Sequence, residues 1–256
     1  MNNKSAYPQG TRNPKPITLY LLRHARSAAN ENTSLHHTLA DHRVPLTPEG
    51  HLQAQQAAEQ FLLLLPKSVR KVAVWVSPFL RTRETAKPTV NLLQARGLQV
   101  RLHERDELVE QLFGLFDGYD EEEWPTRFPD VWKEYRKWCD HEGKYFAKMP
   151  NGESRFDVYN RLQPFTSALH REFRATGTRH HIVVSHGVTL RMLAKLWQKY
   201  SVEWAEREPN PANASIRVLD SRIDRGYLFP GFMGNSLELA AKPKDRDIAF
   251  FDYGLK

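Results

Sequence analysis

Two histidines and two arginines stand where apolar stretches of this chain turn polar. The run "ITLYLLRHARSAAN" (17–30) passes into polar sequence at Arg23-His24, and "HHIVVSHGVTLRML" (180–193) breaks at Ser185-His186-Gly187. A third run, "KVAVWVS" (71–77), ends in Ser77-Pro78, with Arg81 four residues beyond Ser77. The stretch "DELVEQLFG" (106–114) adds two carboxylates, Glu107 and Glu110. Taken singly, each has a plain reading. His24 is a strand-end histidine satisfied by a carbonyl, Arg81 is a solvated helix residue paired with Glu84, and Ser185-His186-Gly187 is a strand-to-helix turn. Taken together they supply an imidazole that can attack, cations that can hold an anion, and a carboxyl that can move a proton. That set suits one chemistry above others, in which a dianionic phosphoryl group is bound and attacked and the group that leaves is protonated.

The elements that must place these residues can be read from the hydrophobic pattern. Apolar, β-branched runs recur at 17–23, 71–77, 98–104, 180–186 and 214–220. The first, second and fourth are nearly continuous, as in strands covered on both faces. Helical patterns lie between them. "TPEGHLQAQQAAEQFLLLL" opens with Thr47 as N-cap and Pro48 in the first turn. "PFLRTRETAKPTVNLLQAR" follows the second strand, with a kink expected at Pro88 and Gly97 closing it. "ESRFDVYNRLQPFTSALHREFRAT" reads as one helix before the fourth strand, and "VTLRMLAKLWQKY" as one after it. Strand–helix alternation predicts an α/β three-layer sandwich, a mostly parallel central sheet with helices on both faces. Ligands of such sheets gather at the carboxyl ends of the strands, where Arg23, His24, Ser77 and His186 fall.

Composition narrows the class. The chain has 256 residues, 40% hydrophobic, enough for one substantial core over 17–256. Residues 1–16, polar and with three prolines, read as a disordered leader. The longest aliphatic run, "FLLLLP" (61–66), is far short of a membrane span, so no membrane partner is expected. The net charge of +7 is spread among 30 acids without a block of like charge, and no nucleic-acid-binding fingerprint occurs. The inference is a chain suited to anionic small ligands. One cysteine, Cys139, excludes an intrachain disulfide and fits a reducing, cytoplasmic compartment. It also leaves no Cys-based metal motif.

Five blocks, "LRHARSAAN", "VSPFLRTRETA", "LVEQLFGLFDG", "NGESRFDVYNRL" and "VVSHGVTLRML", resemble the successive signatures of the histidine phosphatase superfamily, in its phosphoglycerate mutase-like branch. They occur in family order over roughly residues 17–220. "DHRVPLTPEG" and "EQLFG" with a following "GES" are most similar to a plant and fungal phosphoglycerate mutase-like group. The resemblance implies His24 as nucleophile forming a phosphohistidine, with Arg23, Arg81 and His186 around the phosphoryl oxygens. It makes Glu110 the proton donor, with Glu107, three residues earlier and on the same helical face if the stretch is helical, as the alternative. Ser27 and Asn30 match motif positions, Asn30 as a further donor, and Gly187 would let backbone approach the oxyanion at a helix N-terminus. Position 25 is Ala where the family usually has Gly, and Arg26 replaces the common Glu or Gln, an extra cation for the phosphate region.

The implied reaction is metal- and cofactor-independent hydrolysis of a small phosphorylated metabolite. A phosphomutase is the alternative within the family, disfavoured because the acid block is "EQLFG" rather than the "ERHYG" type. A non-catalytic phospho-ligand-binding scaffold is the alternative outside it, and a scaffold has no need of both nucleophile and acid. A homodimer is compatible with this reading. The remaining candidates have structural readings. The pairs His36-His37 and His180-His181 lack matching ligand spacing, so no metal is expected. Trp124, Trp132 and Trp138 read as a satellite core within a helical insertion near 117–150. Arg191 reads as structural, and Glu153 as either a cap or a site contact.

Overall fold

The computed structural model describes residues 17–221, 223–234 and 237–240; the expected leader lies outside them. In chain order the elements are β1 (Thr18–Arg23), α1 (Ala28–Glu31), α2 (Pro48–Leu64), β2 (Lys71–Val76), α3 (Leu80–Ala95), β3 (Gln99–Glu104), α4 (Trp124–Arg127), α5 (Pro129–Phe146), α6 (Arg155–Arg161), α7 (Gln163–Thr176), β4 (His180–Ser185), α8 (Gly187–Gln198), α9 (Val202–Arg207), β5 (Ile216–Asp220) and β6 (Ile223–Phe229). Short 3-10 turns occupy Thr33–His37, Asp41–Arg43, Asp106–Leu108 and Gly114–Phe116.

The strands form one six-stranded sheet in the order β3-β2-β4-β1-β5-β6. The first four run parallel; β5 pairs antiparallel with β1, and β6 pairs antiparallel with β5. Side chains alternate across this sheet, and each face carries its own core. Leu19, Leu21, Trp75 and Val183 pack with Val158, Phe165, Leu169 and Leu193 from α6, α7 and α8 on one side. Tyr20, Leu22, Val74 and Val184 pack with Ala54, Phe61, Ala86 and Leu93 from α2 and α3 on the other. This is the three-layer α/β arrangement expected from the nearly continuous apolar runs.

Register decides what meets at the sheet's edge. Arg23 of β1 lies opposite Ser185 of β4, and Val76 of β2 opposite Val184. The ladder continues past the strands: the His24 amide donates to Ser185 O (2.9 Å) and the Ser77 amide to Val184 O (3.1 Å). Three strand ends therefore bring His24, Ser77 and His186 side by side.

Helix starts follow the sequence signals closely. Thr47 Oγ1 accepts from the Gly50 amide at 3.0 Å, the N-cap bond that Thr47-Pro48 predicts. Helix α3 runs through Pro88 to Ala95, and Gly97 closes it at φ 78°. Two expectations need correction. The predicted helix over 153–176 is two helices, α6 and α7, meeting at Leu162. Pro164 is the cause, because it has no N–H to offer the Asn160 carbonyl one turn back. The tryptophan set also divides: Trp124 and Trp132 join Phe116, Tyr135 and Met149 in a small core, whereas Trp138 is 52% exposed. Strand β6 has no counterpart among the elements expected from the sequence.

Candidate active site

His24 is almost fully buried at the end of β1. Its Nδ1 lies 2.8 Å from Ala25 O. A carbonyl can only accept, so Nδ1 carries the proton and the lone pair resides on Nε2. The backbone here is held from several sides. Ala25 N donates to Thr85 Oγ1 (3.0 Å), and the His24 carbonyl accepts from Asn213 Nδ2 (3.1 Å). The His186 ring stands 5.2 Å from that of His24, centroid to centroid. Its Nε2 meets Ser77 Oγ at 2.9 Å, and Phe79 lies edge-on at 5.0 Å. Nδ1 of His186 is buried without a hydrogen-bond partner.

Burial holds both imidazoles well below the usual histidine range; Arg81 and Arg23 reinforce this at His24, and Arg81 and His24 do so at His186. Both rings are thus kept neutral by their surroundings. Burial also lowers Arg23, against the attraction of Glu110. The Arg23 Nη1 donates to Pro211 O, while its Nε is buried without a partner. Arg81 sits over the Phe79 ring (4.9 Å) and is occupied by Asp41, donating to its carbonyl at 2.8 Å and its carboxylate at 2.6 and 3.3 Å. Glu84, the partner in the plain reading of Arg81, instead accepts from Leu46 N at 2.7 Å.

Glu110 lies at the start of α8. Its carboxylate accepts from the amides of Gln111 (2.9 Å), Val188 (3.3 Å) and Thr189 (3.2 Å), and its Oε1 lies 3.3 Å from Thr189 Oγ1. The free N–H groups of a helix N-terminus supply the donors for this carboxyl group. The helix N-terminus expected to approach a phosphoryl oxygen through Gly187 thus holds Glu110. A Cβ at Gly187 would lie 2.9 Å from Oδ1 of the exposed Asn210 side chain, which would have to move aside. Glu107 and Glu110 do not share a helical face, since helical geometry ends at Leu108. Glu107 turns to Arg105 instead (Nε–Oε2 3.1 Å). Burial would raise its carboxyl, but the Arg105 bond and the charges of Arg105 and Arg161 together hold it below the usual range.

Ser27 and Asn30 form a capping box at α1, with Asn30 Oδ1 accepting from Ser27 N and Oγ, both at 3.1 Å, and from Asn213 Nδ2 at 3.2 Å. Arg26 pairs with Glu31 at 3.2 Å, so its charge is not directed to the two histidines. The other histidine pairs are taken up by the fold. His180 bonds Tyr20 on one face of the sheet (3.1 Å), and His181 accepts from Trp75 on the other (3.0 Å). His36 approaches Asp41 (3.4 Å), and His37 stacks on Tyr119 (4.4 Å). Among the described residues no group of three or more His, Cys, Asp or Glu is placed to hold a metal ion. Nor is any helix there long and apolar enough to cross a membrane. Arg191 donates to Glu208 O at 2.7 Å. Glu153 caps nothing; it accepts from Arg161 (2.9 Å) and Leu112 N (3.0 Å). The bond from Ser77 to His186, and the parts played by Asp41, Asn213 and Arg161, could not be read from the sequence, because no local spacing announces them.

The fold is an α/β sandwich whose mostly parallel sheet gathers His24, His186, Arg23, Arg81 and Glu110 at its carboxyl edge. Residues 19–228 match the histidine phosphatase superfamily (branch 1), and the chain belongs to that family. It is 31% identical over 216 residues to the phosphoglycerate mutase-like protein AT74 of Arabidopsis thaliana, a match covering 80% of this chain and 65% of AT74. It is 23% identical to the broad-range acid phosphatase DET1 of Saccharomyces cerevisiae, covering 84% of this chain and 89% of DET1. Among solved structures, the mycobacterial glucosyl-3-phosphoglycerate phosphatase Rv2419c in complex with VO3 is similar at a TM-score of 0.59 and 25% identity, covering 79% of this chain and 90% of that one.

Proposed function

We propose that the chain hydrolyses phosphomonoesters of small metabolites through a phosphohistidine on His24. One observation carries this reading: Arg23 Nε and His186 Nδ1 are buried without partners, the His186 ring stands 5.2 Å from that of His24, and the charges of Arg81 and Arg23 both act on His24; with Ser77 Oγ donating to His186 Nε2, Nδ1 carries the hydrogen. Orphaned buried donors are costly, and a phosphoryl dianion satisfies them with charge-assisted bonds. Glu110 enters the reaction as the protonated acid; Nε2 of His24 attacks phosphorus, the N–P bond forms as the ester P–O bond breaks, and Glu110 gives its proton to the departing alkoxide. Water then surrenders a proton to Glu110 and attacks the phosphohistidine, breaking N–P and releasing inorganic phosphate. Arg23, Arg81 and His186 hold the three equatorial oxygens through both steps. Substrate must displace Asp41 from part of the Arg81 guanidinium. The phosphatase names of DET1 and Rv2419c support hydrolysis over isomerisation. With its single cysteine, the chain suits the reducing cytoplasm.

Purified protein should hydrolyse p-nitrophenyl phosphate with no added metal, unaffected by EDTA and inhibited by vanadate. Activity lost to EDTA and restored by a divalent cation would refute the metal-independent mechanism. Offered a phosphoglycerate, the protein should release phosphate; formation of the isomeric phosphoglycerate instead would establish a mutase.

A further inference from the structure

We propose that Arg161 and Glu153 are positioning residues for proton transfer, acting through the loop that carries Glu110. The inference rests on the role of Glu110 proposed above. Residues 109–113 carry the acid in irregular backbone, so their polar groups have no regular ladder to join. Side chains take the ladder's place. Arg161, at the end of α6, donates Nη1 to Glu107 O (2.6 Å) and Nη2 to both Val109 O and Glu110 O (3.0 Å each). Ser185 Oγ and Thr189 Oγ1 donate to Leu108 O and Val109 O, each at 2.6 Å. The four successive carbonyls from Glu107 to Glu110 are thereby all anchored.

Glu153 aims the guanidinium. Its carboxylate accepts from Arg161 Nε and Nη2 at 2.9 and 3.2 Å, a two-point pairing that fixes the guanidinium plane. It also grips the far side of the acid. Glu153 Oε2 accepts from Leu112 N (3.0 Å), its amide donates to Leu112 O (2.8 Å), and its carbonyl accepts from Gln111 Nε2 (2.7 Å). Glu110 is thus bracketed, with Arg161 on the carbonyls up to it and Glu153 on the residues after it. Both side chains are largely covered, at 20% and 17% exposure. Neither bonds to His24 or His186; the Arg161 charge is felt at His186 after those of Arg81, His24 and Arg23, and their bonded reach to the chemistry is through Glu110. A lysine could keep the charge at 161 but not the planar fork that serves three carbonyls and one carboxylate.

The test separates positioning from simple stabilisation by leaving group. A poor leaving group needs the acid, and p-nitrophenolate hardly does. For Arg161→Lys, kcat/KM, which reports the steps through phosphoenzyme formation, should fall about tenfold or more on glycerol 2-phosphate and less than about twofold on p-nitrophenyl phosphate. Equal losses on the two substrates, or no loss in a folded variant, would overturn the proposal. Should Arg161→Lys fail to fold, Glu153→Gln, which retains an acceptor for Leu112 N, is judged by the same ratio. Glu110→Gln run alongside distinguishes the failures. If it lacks the leaving-group dependence, the acid assignment is wrong and the clamp falls with it. If it shows the dependence and Arg161→Lys does not, only the clamp is wrong.

Discussion

The rings of His24 and His186 stand 5.2 Å apart, each tied at one nitrogen by a different part of the sheet edge: His24 Nδ1 by Ala25 O, His186 Nε2 by Ser77 Oγ. The untied nitrogens are Nε2 of the first and Nδ1 of the second. In the proposed reaction those are the atoms that attack and hold the phosphoryl group. Ser77 is therefore more than a strand end. Ser77→Ala removes one buried hydrogen bond, worth about 1 kcal/mol, and should lower kcat/KM on p-nitrophenyl phosphate by about fivefold. Steady-state kinetics with a melting curve checks this, and unchanged kinetics in the folded variant would show that Ser77 does not orient His186.

The two histidines also set a pH dependence for stability. Burial, then the neighbouring arginines, depresses both in the folded chain, so folding leaves them neutral where the unfolded chain already binds protons. Their contribution is complete above the unfolded value of about 6.5 and is lost as pH falls towards the folded value. His180 and His103 are lowered too, and His181 to about 4, all first by burial. Unfolding free energy in urea should therefore drop between about pH 6.5 and pH 5, by up to about 1.4 kcal/mol per pH unit for each such histidine. His24→Asn should make that slope shallower by about one histidine's share. A profile that is flat, or identical in wild type and variant, contradicts the burial of a neutral His24.

Gly114 offers a test of the acid loop's backbone. Its φ is 62°, and a Cβ there would lie 2.0 Å from Pro150 O. Leu115 N donates to that same carbonyl at 2.9 Å, joining the acid loop to the turn before Glu153. Gly114→Ala should cost about 1–3 kcal/mol from the positive φ alone, with the clash adding to it. Thermal unfolding should show a midpoint lower by several degrees, with activity on alkyl phosphates reduced. A variant as stable as the parent would mean this junction is looser than the geometry requires.

The sheet edge was legible in the sequence because buried parallel strands end abruptly: three apolar runs stop at Arg23, Ser77 and Ser185, and pairing register does the rest. Thr47-Pro48 and Gly97 likewise act within a few residues, so helix ends could be read. The break between α6 and α7 was a local signal too, but Pro164 early in a helix is tolerated, and periodicity across it continues. Strand β6, "IDRGYLF", lies at a sheet edge, and Asp224-Arg225-Gly226 interrupts its apolar residues, so neither a continuous nor an alternating run announces it. The contacts of Asp41, Glu153 and Arg161 were out of reach for a different reason, although Glu153 itself reads as either a cap or a site contact. Each acts through a long-range contact, to Arg81, to Leu112 and to the Glu107–Glu110 carbonyls, that only the assembled fold brings about.

The central claim is a covalent phosphohistidine on His24, and trapping it is the most direct test. A chain mixed with labelled substrate and quenched within a turnover should carry label that is stable to alkali and lost in acid. That label should map to the peptide containing His24 and be absent from folded His24→Ala. Turnover with no trapped label at any time, or label and turnover retained in His24→Ala, would contradict the account.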